Sequence, residues 1–217
     1  MDPGADRTVL GALLAGGRSR RFGSNKAFAR VGGLELVHRA AGSLAPVTGT
    51  VVLIADDAGS YSDEGFEIRP DRVPGVGALG GIATAVAWAR EEELRGAVVL
   101  ACDMPFVPTA LLAELARRLR EDNAVLPASS GPRGLEPLCA AYGVECLGAI
   151  DAAIARGDRP VISFLPDIQV ELLEAGDVAT FGDPETMFFN VNRPVDRTRA
   201  EQLLALGTAA APDSEEA

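Results

Sequence analysis

The chain has 217 residues, of which 47% are hydrophobic and 24% charged, with a formal net charge of −11. This length suits one ordinary α/β domain able to bury a core without disulfides, and the mean hydropathy of +0.15 comes from dispersed Ala, Val and Leu, not from a bilayer-length run. The acidic balance argues against a general nucleic-acid binder, which needs a basic face.

The N-terminal lead MDPGADRT has no basic region before its apolar run, so no secretory or transit peptide is expected and cytoplasmic residence is the default. Val9–Leu14 reads as a buried parallel strand that ends in a glycine-rich loop. From Arg7 to Leu34 there is no acidic residue, while Arg7, Arg18, Arg20, Arg21, Lys26 and Arg30 all fall there. Such a basic segment in an acidic chain predicts a local anion site. Lys26 is the only lysine; every other basic side chain is arginine.

Further along, Leu34–Leu44 reads as a helix carrying His38, the sole histidine, and Val51–Ala55 as a second strand ending in Asp56–Asp57. Phe66–Arg69 suggests a short third strand, Leu79–Glu93 a helix, and Ala97–Ala101 a buried strand that ends in Cys102–Asp103 and is stopped by Pro105. A helix follows from about Thr109, with Leu111, Leu115 and Leu119 forming one apolar stripe. Ala124–Leu126 and Leu138–Tyr142 read as strands, the latter followed by a helix through Arg156. Met187–Val191 reads as a last strand, and Pro194 to about Leu206 as a last helix. The acidic stretch 207–217 is predicted to be a disordered tail. No boundary divides the chain, which reads as a single domain over 1–217.

Alternating strands and helices predict a mostly parallel sheet covered on both faces, with ligands beyond the C-terminal strand ends at the switch point. The loop after the first strand is not a P-loop, because Gly23 is followed by Ser24, Asn25 and Lys26 and not directly by Lys-[Ser/Thr]. It offers instead Gly16 and Gly17 for close backbone approach, with Arg21 and Lys26 as cations suited to polyphosphate. The sequence Gly75–Gly80 formally matches G-x-G-x-x-G, but it does not follow the first strand, and the region about twenty residues on is a helix end and a new strand, so a dinucleotide fold is not indicated. Gly77, just before a helix, still suits close approach of a nucleoside. Asp103, at the end of a buried strand, is expensive to desolvate unless it meets a cation, for which Mg²⁺ on a triphosphate is suited; read alone, it equally suits a helix cap. Cys102, Cys139 and Cys146 lack metal spacing and read as buried thiols in a reducing compartment. With one histidine and no G-x-S-x-G, a Ser-His-Asp hydrolase is not indicated.

In order, LAGGRSRRFGSNKA, Asp71 before PGVGALGG, ACDMPFV, EPLCAAY and FFNVNRPVD resemble the nucleotidyltransferase family of molybdenum cofactor guanylyltransferases, from about Val9 to Leu206. The resemblance implies a three-layer αβα, Rossmann-like nucleotide-diphospho-sugar transferase fold. It also implies transfer of GMP from Mg-GTP to the terminal phosphate of molybdopterin, with release of diphosphate. Carried onto this chain, it places Leu14, Ala15, Gly16 and Gly17 at the guanine and phosphates, Lys26 at phosphate, Asp71 at the nucleotide, and Asp103 at Mg²⁺. Lys26 and Asp103 form the catalytic pair. Asp56 stands where an asparagine contacts nucleotide in relatives, and Asn190, Asn192 and Arg193 of the N-x-N segment fall on the acceptor side, with Asn192 also expected near the metal or cofactor. Three positions depart from the family pattern: Asn25 for aspartate, Asp56 for asparagine, and Arg193 for the threonine of N-x-N-T-P. A cytidylyl or other small-molecule nucleotidyltransferase on the same fold, and a non-catalytic nucleotide or pterin carrier, are the alternatives. The expected partners are GTP and molybdopterin, with molybdoenzyme-maturation proteins beyond them. No nucleic acid or membrane is expected, and the chain is read as a monomer or weak oligomer.

Overall fold

A computed structural model describes residues 5–15, 26–55, 58–62, 64–158 and 160–209. Among these residues the centre is a seven-stranded sheet. In chain order its strands are β1 (Asp6–Leu14), β4 (Thr48–Ile54), β5 (Glu67–Arg69), β6 (Gly96–Ala101), β7 (Asn123–Pro127), β8 (Cys139–Gly143) and β9 (Gln169–Leu173). Two short strands, β2 (Arg30–Val31) and β3 (Leu34–Glu35), form a separate hairpin. The spatial order is β5-β4-β1-β6-β8-β7-β9, parallel throughout except for β8, which runs antiparallel to both neighbours.

Successive side chains of a strand point to opposite faces, and the two halves of the core follow that alternation. Val9 and Leu13 of β1, with Val98 and Leu100 of β6, pack on one face under helices α1 (Leu36–Leu44) and α3 (Thr109–Arg118). Leu10, Ala12 and Leu14, with Ala97 and Val99, pack on the other under α2 (Ala78–Glu91) and α4 (Leu147–Ala155). Since both faces are covered, β6 is buried along its whole length, and its sequence is correspondingly apolar without alternation. Three layers result.

From β1 the chain moves outward to β4 and β5, then returns across to β6 on the other side of β1. The switch point therefore lies between the C-terminal ends of β1 and β6, where Leu14 pairs with Ala101. Cys102 N–H continues this contact by donating to Leu14 O at 3.1 Å.

Several boundaries differ from the sequence reading. Helix α1 starts at Leu36, because Leu34–Glu35 turns back on Arg30–Val31 through Gly32–Gly33, whose φ values of +61° and +76° fit a two-residue hairpin turn. Met187–Val191 is not a strand. Asp183 caps a short helix α6 (Pro184–Met187) by accepting from Glu185 and Thr186 N–H, and Pro at the first turn favours that choice. Residues 188–193 then follow without regular structure. The edge strand β9 was not expected: mostly exposed, QVELL shows no long apolar run. A further short helix, α5 (Ala175–Ala179), follows it. The final helix α7 (Pro194–Ala209) also extends into the stretch predicted as tail.

Candidate active site

Lys26 begins a single 3-10 turn, Lys26–Phe28, held by the burial of Ala27 and by Phe28 against Tyr61, with ring centroids 5.1 Å apart. Its ammonium reaches the C-terminal end of β6, where Nζ lies 2.5 Å from Asp103 Oδ2. The same ammonium donates to Asn192 Oδ1 at 2.9 Å. Side-chain exposure is only 18% for Lys26 and 12% for Asp103, so the pair is screened far less than a surface ion pair. The helix after Asp103 starts at Thr109 behind Pro108, so the carboxylate is not a cap.

The segment carrying Asn192 is fixed from two sides. Val191 N–H donates to Asp103 O at 2.9 Å, while Asp196 Oδ2 accepts from both Asn192 and Arg193 N–H at 3.0 and 2.8 Å. Below it, Val191 and Ala200 pack with Val31 and Leu36, and Glu201 accepts from Gly32 N–H, which seats α7 on the β2–β3 hairpin. Residues far apart in sequence thus form a closed ring through Asp103, Lys26, Asn192 and Val191.

A cleft of about 840 Å³ opens beside this ring. It is lined by Lys26, by Cys102 and Asp103 just beyond β6, by Leu14 and Ile54 at the ends of β1 and β4, and by Asp71 and Gly77 before α2 with Gly81 in its first turn. Gly77 has φ +76° at the helix entrance, a conformation costly for other residues. A Cβ on Gly81 would lie 3.2 Å from Leu14 Cδ2, so glycine there lets α2 approach the strand end. The Asp71 loop is tied down by Thr84, whose hydroxyl donates to Gly80 O at 2.8 Å and accepts from Arg72 N–H at 3.0 Å.

The structure brings together Leu14, Lys26, Asp71, Gly77 and Asp103 around one cleft, and Asn192 joins them through Lys26. Ala15 lies just beyond β1; its N–H donates to Ile54 O, and its carbonyl accepts from the Tyr61 hydroxyl. Asn190 does not join the ring, because its side-chain amide donates to Phe188 O. Arg193 is largely exposed and leans on Asp196, Nη2 to Oδ1 at 3.6 Å. Gly16, Gly17, Arg21, Asn25 and Asp56 lie outside the described residues. Thr84 and Asp196 escaped the sequence reading. Each left a signal, a lone hydroxyl in an otherwise apolar helical run and an acid four residues after Asn192.

All three cysteines are free and buried. Burial, reinforced by the neighbouring Asp103 charge, pushes the Cys102 thiol up to about 12, which suits packing and not nucleophilic attack. Among the described residues, Glu35, His38 and Glu64 also cluster, but each imidazole nitrogen faces a different carboxylate, at 3.5 and 3.4 Å. That arrangement is a bridge between two acids, unlike a cage around one ion. No helix among the described residues is long and apolar enough to cross a membrane.

A mostly parallel sheet with a lysine–carboxylate pair beside a cleft at its switch point is the arrangement of an α/β nucleotide-binding protein. Residues 11–170 match the MobA-like NTP transferase domain, and the chain belongs to that family. It is 34% identical over 197 residues to a probable molybdenum cofactor guanylyltransferase from Pelotomaculum thermopropionicum, covering 90% of this chain and 93% of that one. It is likewise 34% identical over 201 residues to a molybdenum cofactor guanylyltransferase from Rhizobium rhizogenes, covering 89% and 91%. Among solved structures, molybdopterin-guanine dinucleotide biosynthesis protein A from Archaeoglobus fulgidus superposes with a TM-score of 0.74 at 26% identity, covering 91% of this chain and all of that one.

Proposed function

We propose that this chain acts as one cytoplasmic transferase domain that moves GMP from Mg-GTP onto the terminal phosphate of molybdopterin, with release of diphosphate. The observation that carries the reading is the convergence of Asp103 and Asn192 on Lys26 beside the cleft, in a chain that belongs to this transferase family.

The reaction forms a bond from an acceptor phosphate oxygen to the α-phosphorus of GTP and breaks the bond to the bridging oxygen, whose electron pair leaves with diphosphate. Two anions must meet, so the protein has to position them in line and offset their repulsion; no covalent nucleophile is required. Lys26 supplies a compact point charge for the phosphates, and the cleft around Leu14, Gly77 and Gly81 holds the nucleoside. Asp71, braced by the Thr84 contact to its neighbour, faces the same space. Asn192 sets the lateral position of Lys26.

The donor set suits Mg²⁺: two hard oxygens, Asp103 Oδ2 and Asn192 Oδ1, already converge on a single cation, the Lys26 ammonium. Asp103, with Asn192, would hold the ion, which would supply charge neutralisation to the triphosphate. The direct test is diphosphate release from Mg-GTP on addition of molybdopterin. Release that ignores molybdopterin, or a clear preference for CTP, would overturn the reading.

A further inference from the structure

Tyr61 touches the chain on both sides of residues 16–25, the stretch that separates the first strand from Lys26. It closes a 3-10 turn, Ala58–Tyr61, beyond the end of β4. Because β4 runs parallel to β1 with Ile54 opposite Leu14, that turn emerges beside the end of β1. There Ala15 N–H donates to Ile54 O at 2.9 Å, and the Tyr61 hydroxyl donates to Ala15 O at 3.3 Å. The Tyr61 ring packs against Phe28, with centroids 5.1 Å apart. Phe28 ends the turn that Lys26 begins, and Ala29 N–H closes that turn on Lys26 O at 2.9 Å.

Tyr61 is 2% exposed, and a phenylalanine would fill the same core volume without a polar atom to satisfy. A buried phenol needs a partner for its hydroxyl, and here the partner is the carbonyl of the residue that follows cleft-lining Leu14. The segment that carries Tyr61 is itself pinned to α1. Glu64 N–H donates to Tyr61 O at 3.1 Å, the Glu64 carboxylate faces His38 Nε2 at 3.4 Å, and the His38 ring lies against Phe66 with centroids 5.6 Å apart. A side chain held in this way fixes Ala15 and the Lys26 turn relative to each other. Leu14 and Lys26 both line the cleft, so their spacing decides whether one nucleotide meets both.

We propose that Tyr61 is a positioning residue for the nucleotide: it holds the end of β1 and the Lys26 turn at the spacing at which both engage the same GTP. The proposal rests on the transferase reading above. The test is a double-mutant cycle read by the Kd for GTP, measured by calorimetry without molybdopterin. Tyr61→Phe removes the bond to Ala15 O and keeps the ring, whereas Phe28→Leu removes the ring contact and keeps the hydroxyl. Each should weaken GTP binding about fivefold, the worth of roughly one hydrogen bond. Because either change breaks the same link, the double variant should stay within about twofold of the weaker single variant and not reach the roughly 25-fold loss of independent effects. A wild-type Kd in Tyr61→Phe, or multiplied losses in the double variant, would overturn the assignment. Loss of packing alone has that first signature: it lowers the melting midpoint and leaves the Kd of the folded protein unchanged. Weakened, non-multiplied GTP binding in variants of a chain whose wild type shows no molybdopterin-dependent diphosphate release would instead sink the transferase reading and leave the role of Tyr61 standing.

Discussion

Lys26 and Asp103 are separated by 77 positions in sequence, yet Nζ and Oδ2 meet at 2.5 Å. The contact joins the turn Lys26–Phe28 to the end of β6 at the switch point of the sheet. It leaves the carboxylate partnered, as its 12% side-chain exposure demands. Asn192, entering from the opposite end of the chain, places its oxygen on the same ammonium at 2.9 Å.

Removing the charge of Asp103 should therefore abolish transfer without unfolding the chain. Asp103→Asn keeps the backbone carbonyl that accepts from Val191 N–H. Diphosphate release should fall about 10²- to 10³-fold, in line with the roughly 2.7–4 kcal/mol that one preorganised electrostatic contact contributes. Circular dichroism and the melting transition should remain close to wild type.

Lys26→Arg tests why this chain, otherwise arginine throughout, uses its one lysine here. The ammonium is wedged between Asp103 and Asn192, a geometry that accepts a compact point charge more readily than a planar fork. Turnover should drop by about two orders of magnitude, comparable to loss of a positioned donor, with normal folding. An arginine variant with full activity would refute the role given to lysine.

Thr84 offers a test of the wall and not of the charges. Thr84→Val removes the hydroxyl shared by Gly80 O and Arg72 N–H. The chain should lose about 1–3 kcal/mol by denaturant titration, since Arg72 N–H loses its acceptor. Because Asp71 adjoins that contact, the KM for GTP should rise more than the KM for molybdopterin.

A pH effect distant from the site follows from Glu114 on α3. Hydrogen bonding from Arg117 acts first; burial opposes it, and Arg118 adds to it, so the carboxyl is held down at about 2. A depressed carboxylate contributes stability that is full above its unfolded value, near 4.5, and is lost as pH falls toward 2. Glu114→Gln should thus lower stability at neutral pH by about 1 kcal/mol or less, since Arg117 is largely exposed, and the difference from wild type should vanish at the acid end. Melting curves of both proteins across pH 2–7 would show convergence.

Much of this was legible in the sequence because buried strands announce themselves. β1, β4 and β6 are continuous apolar runs, and each ends in residues of the cleft or its rim. Lys26 and Asp103 stood out as a lone lysine in a basic loop and a lone acid at a strand end. Legibility failed where the deciding interaction was non-local or conformational. FFNV carries strand-like composition, yet Asp183 and Pro184 start a helix just before it and Asp103 O captures Val191 N–H, so no ladder forms. Asn192 was the asparagine singled out for the metal or cofactor, and it alone meets Lys26, whereas Asn190 turns to its own backbone. QVELL was invisible because an edge strand buries too little to need an apolar pattern.

The most direct measurement is transfer of an isotopic label from the α-phosphate of GTP in the presence of Mg²⁺ and molybdopterin. The label should appear in a guanine dinucleotide of molybdopterin, with one diphosphate released per transfer, and Asp103→Asn should suppress both. Label that stays in GTP, is released as free GMP regardless of molybdopterin, or enters product as readily from CTP would contradict it.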